Sequence, residues 1–121
     1  MKARMLLMTT ATLSLIAVSG SANDVVAIRV NGHYFTEPAT VDITVAVEPD
    51  QANRTLRIEA DGDRYFRSSE ITLEGSSEKR LHTVEFRNLP AGTYEVRAEV
   101  LSTKDVRGMA VQDVEVMGSP R

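Results

Sequence analysis

Along residues 93–100 the chain alternates strictly. Tyr94, Val96, Ala98 and Val100 share one parity, and Thr93, Glu95, Arg97 and Glu99 share the other. A period of two is the pattern of a β-strand with one buried face. Residues 40–48 repeat it, with Val41, Ile43, Val45 and Val47 set against Thr40, Asp42, Thr44 and Glu48. Residues 54–60 follow suit, placing Leu56, Ile58 and Ala60 inward and Arg57 and Glu59 outward. Shorter stretches carry the same signal. Val26, Ile28 and Val30 share a parity in residues 25–30. Ile71 and Leu73 turn inward after Tyr65-Phe66, and Val84 and Phe86 do so in residues 82–86. In residues 109–117 the alternation slips, Val111 lying on one parity and Val114 and Val116 on the other. That slip predicts a one-residue bulge near Gln112-Asp113.

Turn residues separate these stretches. Asn31-Gly32 precedes a short return, His33-Tyr34-Phe35, and predicts a type I′ hairpin turn with positive φ at both central residues. Glu37-Pro38 ends that return, because proline cannot donate into a ladder. Residues 49–53, Asp61-Gly62-Asp63, residues 75–79 and residues 102–108 read as further turns, and residues 118–121 as a short loose tail. No repeat and no helical period interrupts the series. Seven strands at short, regular spacing predict an all-β fold, an antiparallel Greek-key sandwich of two sheets. Leu89-Pro90-Ala91-Gly92 forms the corner before the longest strand. A tyrosine just beyond such a corner buries its ring and bonds its hydroxyl back to the corner backbone. Tyr94, with Leu89 and Gly92, is therefore predicted to form a tyrosine corner.

The first residues break the pattern. Lys2 and Arg4 precede an uncharged, largely apolar run at residues 5–18, and Gly20-Ser21-Ala22 supplies small side chains. This is the layout of a helical secretory signal peptide, residues 1–22, cleaved after Ala22. The run falls short of the roughly 20 residues of a membrane span, so a retained anchor is the weaker reading. Residues 23–121 then form one domain, periplasmic or secreted, with no stable membrane insertion. The chain has no cysteine, which excludes both disulfides and a lipid-modified N-terminal cysteine. Losing Lys2 and Arg4 takes the formal charge from −3 to −5. An acidic domain with scattered arginines lacks the clustered basic face that nucleic acid or anionic lipid requires.

Residues 41–116 resemble an immunoglobulin-like domain of the fibronectin type III sort, through the strand beginning at Arg54, the Leu89-Pro90-Ala91-Gly92 corner and Tyr94. The Cys…Trp…Cys hallmark of true immunoglobulin domains is missing. A more local resemblance links Phe86 and Asn88-Leu89-Pro90-Ala91-Gly92-Thr93-Tyr94 to carboxypeptidase regulatory-like, prealbumin-like sandwiches of secreted bacterial proteins. Both resemblances imply an accessory or adhesion module and no enzyme.

Catalytic constellations are missing from the sequence. No serine lies in a Gly-x-Ser-x-Gly setting, and His33 and His82 fall at a turn and a strand start, both solvent-edge positions. No cofactor is expected. Asp61 and Asp63, with Glu59 and with Asp50 across a loop end, are candidate calcium ligands. A plain turn is the simpler reading of Asp-Gly-Asp. Four of the six aromatic residues occur as the pairs Tyr34-Phe35 and Tyr65-Phe66. Neighbours on a strand face opposite ways, so one ring of each pair is predicted to be exposed or to cover an edge. Tyr34, Phe35, Tyr65 and Phe66 are the candidate binding residues. Outward arginines and glutamates (Arg57, Glu59, Glu85, Arg87, Glu95, Arg97, Glu99) predict cross-strand ion pairs. The expected function is non-enzymatic contact with an envelope or extracellular protein, and the alternative is a module that stacks a glycan or small ligand on those rings.

Overall fold

The structure, a computed structural model, describes residues 25–119. The predicted signal peptide and its cleavage point lie outside the described residues, as do positions 120 and 121. The strands are β1 (Val26–Val30), β2 (Tyr34–Thr36), β3 (Ala39–Val47), β4 (Thr55–Gly62), β5 (Phe66–Thr72), β6 (Leu81–Leu89), β7 (Gly92–Leu101) and β8 (Val106–Met117). A single 3-10 turn, Gly75–Ser77, lies between β5 and β6. The described residues are thus all-β with two sheets, of order β1-β3-β6 and β2-β8-β7-β4-β5.

Eight strands replace the seven predicted, because the short return at Tyr34–Thr36 is a strand of its own. It is not the second arm of a hairpin. β1 pairs with β3, while β2 crosses to the other sheet and runs parallel to β8. Asn31-Gly32 is the crossover. Neither residue has positive φ, so no type I′ turn forms. Asn31 instead continues the β1–β3 ladder by one step. Its N–H donates to Asp42 O at 3.1 Å, and its Oδ1 accepts from Asp42 N at 3.0 Å. The wholly antiparallel sandwich of the sequence reading is corrected by this one parallel pair.

Inward parity fills the space between the sheets. Val41, Ile43 and Val45 of β3 face Leu56, Ile58, Val96, Ala98 and Val100 of β4 and β7, all fully buried. Phe86, Leu89 and Tyr94 close the corner end. Burying this set without disulfides is what holds two independently edged sheets together.

In β8 the predicted bulge near Gln112-Asp113 does not exist. Pairing with β7 is unbroken from Gly108 to Val116, with Gln112 inward and Met109, Val111 and Asp113 outward. The register shifts earlier, between the pairs Val100–Gly108 and Leu101–Val106. That places the extra residue at Arg107, whose side chain turns to the β3–β4 connection. There its Nη1 donates to Oδ1 of the fully buried Asn53 at 2.7 Å, and Asn53 Nδ2 donates to Glu48 O at 3.0 Å. A second irregularity, where β6 meets β3, holds Asn88 at φ 59°, a left-handed conformation that asparagine tolerates better than most residues.

Candidate functional site

The outward face of the five-stranded sheet is organised in cross-strand rows, and the register decides what each row can do. One row runs Glu70, Arg57, Glu99 across β5, β4 and β7. Arg57 bonds both carboxylates, Glu70 at 3.2 Å and Glu99 at 3.1 Å. Its pKa is raised above the ordinary arginine value, chiefly by the hydrogen bond to Glu70. The next row joins Ser68, Glu59, Arg97 and Val111, with Arg97 3.6 Å from Glu59. Arg97 also bonds Glu95, the main cause of its own raised pKa.

The row beyond is different. Phe66, Asp61, Glu95 and Asp113 stand side by side on β5, β4, β7 and β8, and Thr93, Glu115 and Tyr34 follow one step further along. Like charges directly opposite one another on a sheet are destabilising. Here three acids adjoin, and Arg97 reaches only the central one. The result is an acidic strip with an exposed ring at each sheet edge, Tyr34 at 72% exposure and Phe66 at 54%. Four strand spacings separate those edges, about 19 Å.

The other ring of each pair is turned in. Phe35 and Tyr65 pack against the core and are half-buried, so they support the edges and do not offer a stacking surface. Tyr65 lines a cavity of about 380 Å³ at the corner end with Glu37, Asp63, Arg64, Pro90 and Tyr94. Tyr94 is 1% exposed, and its hydroxyl donates to Pro90 O at 2.6 Å. Leu89 is buried beneath the corner and Gly92 has φ 155°, a value side chains resist. Burial raises the Tyr94 pKa, with Tyr65 and Glu37 adding to the effect.

Gly62, read from the sequence as the middle of an Asp-Gly-Asp turn, has no positive φ and ends β4 opposite Tyr94. A Cβ there would lie 2.7 Å from Tyr94 Cε2, so glycine is required by the ring above it. Asp61 and Asp63 flank it at the corner end. Asp50 is not their neighbour. It precedes β4, bonds Ala52 N at 2.8 Å and lies 3.6 Å from Arg107, at the opposite end of the sandwich. Glu59 is occupied by Arg97. Among the described residues no group of three or more His, Cys, Asp and Glu side chains is placed to hold a metal ion.

The histidines are far apart. His33 is exposed beside Gln112, its Nδ1 3.4 Å from Gln112 Nε2. His82 corrects the sequence reading. It is not at the solvent edge but 3% exposed, with Nε2 3.1 Å from Lys79 O. It shares the inward parity of Val84 and Phe86, which a strand beginning at Leu81 enforces. Two further residues carried no sequence signal. Glu37 accepts from Ala91 N at 2.9 Å and Ser119 N at 3.1 Å, joining the corner to a tail that was expected to be loose. Arg67 of β5 donates to Arg87 O of β6 at 3.1 Å and lies 5.6 Å from the Phe86 ring centroid, closing the seam between the sheets.

No protein-family model matches the chain, and no curated protein matches it. Eight solved chains match it in structure. One is the CARDB domain of a Pyrococcus furiosus protein, solved in complex with di-metal ions. It is 16% identical, the match covers 78% of this chain and 92% of that chain, and the TM-score is 0.48.

Proposed function

We propose that this chain is an exported, non-enzymatic immunoglobulin-like module of the bacterial cell envelope that works by binding another protein. Its strand order supports the immunoglobulin-like reading. β4, β7 and β8 correspond to the C, F and G strands that form one sheet of such sandwiches, and Tyr94 occupies the start of F at the E–F corner. The observation that carries the binding reading is the acidic strip of Asp61, Glu95, Asp113 and Glu115 between the exposed Tyr34 and Phe66. A sheet tolerates such like-charge opposition at a cost in stability, and sites of function are where that kind of conflict is retained. Rings on edges about 19 Å apart are too widely spaced to sandwich one sugar, and they suit an extended partner with a basic stretch between two aromatic-binding pockets.

The test is in-cell crosslinking of the tagged protein with mass spectrometry of what is captured. A single envelope protein with a basic contact segment is the expected result, its capture weakened by added salt and lost in a Tyr34→Ala/Phe66→Ala variant that still folds. Asp113→Asn should weaken capture while raising the melting temperature, because it relieves the opposition to Glu95. Full capture by both variants would remove this face from consideration. Ring-proton shifts on titration with oligosaccharides, in place of protein capture, would favour the glycan reading.

A further inference from the structure

Sheet edges attract other strands, and proteins blunt them with charge, brevity or cover. Three of the edges here are blunted. β1 is short and carries Arg29, β6 is capped by Arg67, and β5 bears Arg67 and Glu70. The edge of β8 is not. β2 pairs with it only from Glu115 to Met117. From Met109 to Asp113 it has β7 on one side and no strand on the other among the described residues. That opening is bounded at both ends. Tyr34 of β2 closes one, and at the other Gly108 packs so closely that a Cβ would lie 2.9 Å from Val25 Cβ. The free run is about 17 Å long, room for one short extended segment.

Which groups face the opening follows from the paired part of β8. Glu115 N donates to His33 O, and Met117 O accepts from Glu37 N, so odd-numbered residues aim their backbone away from β7. By the period of two, Met109, Val111 and Asp113 present N–H and C=O groups to the opening. On the inward side β1 and β8 diverge around a cavity of about 510 Å³, which Val26, Ile28 and Ala110 help to line. Ile28 and Ala110 are only partly covered there. On the outward side stands Asp113, next to Glu95 and in line with Asp61. It has no cationic partner among the described residues.

We propose that this edge takes an extended segment of a partner protein as an added strand, apolar on its inward face and basic on its outward face. Each wall of the opening selects one of those features. The backbone groups of Met109, Val111 and Asp113 need another extended backbone to pair in register. The cavity takes apolar side chains opposite Ala110, which complete the cover of Ile28. Asp113 takes a lysine or arginine beside it, adding to the acidic row the cation that it lacks. β2 is the precedent within the chain. It is a three-residue strand laid on this same edge, with Phe35 turned in and Tyr34 turned out. The same edge of a second copy supplies no free cation, because its Arg107 is held by Asn53 and Asp50. Strand addition rests on the contact function proposed above and says how the partner's chain is held: main-chain bonds give affinity, and alternate side chains give specificity.

The probe is a short capped peptide that alternates lysine and valine, added to the purified full chain. Amide exchange at Met109 and Asp113 should slow at least about tenfold at saturation, and added salt should weaken the binding. Binding should be lost when every backbone nitrogen of the peptide is methylated, and when glutamate replaces lysine. Val111→Pro removes a donor that faces the opening and no bond to β7. Its Ala110 and Gln112 amides should therefore stay protected while affinity for the lysine peptide falls about tenfold or more. Exchange at Met109 and Asp113 that stays fast in millimolar lysine peptide overturns the proposal. Equal slowing by the methylated peptide or by the glutamate counterpart overturns it as well. Slowing that grows with protein concentration alone would seat a second copy at the edge, with the same consequence. A peptide that shifts the Tyr34 and Phe66 rings but leaves the edge amides fast would end strand addition and leave the function proposed above standing. That function fails separately, by in-cell capture that survives in the Tyr34→Ala/Phe66→Ala variant.

Discussion

At Tyr94 three constraints meet. The ring fills the corner end of the core, the hydroxyl satisfies Pro90 O, and the ring edge lies so near Gly62 that no side chain fits there. Tyr94→Phe keeps the ring and leaves the half-buried Pro90 carbonyl without its donor, at an expected cost of about 0.5–1.5 kcal/mol in chemical denaturation. The same residue sets an alkaline limit. Burial raises its folded pKa above the ordinary 10.0, so the folded state holds the proton more tightly than the unfolded chain does. Its contribution is fully present below pH 10 and is lost as pH rises through the higher folded value. Stability measured from neutral to strongly alkaline pH should therefore fall more steeply for the natural chain than for Tyr94→Phe. Equal slopes would show that Tyr94 is not the group responsible. The tyrosine was legible in the sequence because a corner motif precedes it directly. Gly62 was misread, because its need for glycine comes from a ring distant along the chain, and Asp-Gly-Asp looks like a turn wherever it occurs.

At the scale of elements, the strands were legible wherever one face is fully buried, as in β3, β4 and β7. Errors gathered where a strand lies at an edge. β8 looked bulged because Val111 points to solvent and Gln112 points in, a reversal that an edge tolerates and a central strand does not. β2 looked like a hairpin arm because nothing local reveals that its partner is the last strand of the chain. Glu37, just after β2, holds this arrangement by binding the corner at Ala91 and the tail at Ser119. Those two N–H donors, Ala91 the stronger, lower its pKa below the usual 4.5. A depressed carboxyl contributes stability above its unfolded value, and that contribution is lost as pH falls through the folded one. The amide resonances of Ala91 and Ser119 should consequently titrate together with an apparent pKa below 4.5, and Glu37→Gln should abolish the titration, its single carbonyl oxygen keeping one of the two bonds while its NH2 leaves the other N–H without an acceptor. Independent titration of the two amides would mean that they do not share this carboxylate.

At the scale of the whole molecule, the two sheets are bound by topology as well as by burial. Only β4–β5 and β7–β8 join strands adjacent in the chain, and every other pairing spans an intervening element. β3 leads across to β4, β5 to β6 and β6 to β7, so neither sheet can assemble from one continuous segment. Such non-local pairing gives a single cooperative unit in which local damage is shared. Leu56, fully buried on β4, tests this. Leu56→Ala removes contacts in the larger sheet and should cost about 2–5 kcal/mol, depending on how far the surroundings close over the void. If the sandwich is one unit, amide protection should fall by the same factor on Ile43 and Val45 of β3, in the other sheet, as on Val96 and Ala98 of β7 beside the cavity. The exchange of those slowest amides reports global opening, so a common factor is required whatever its size. Loss of protection confined to β4, β5 and β7 would mean that the three-stranded sheet survives alone. That outcome is unfavourable on physical grounds, because its inward face, Val41, Ile43 and Val45, would then be left to water.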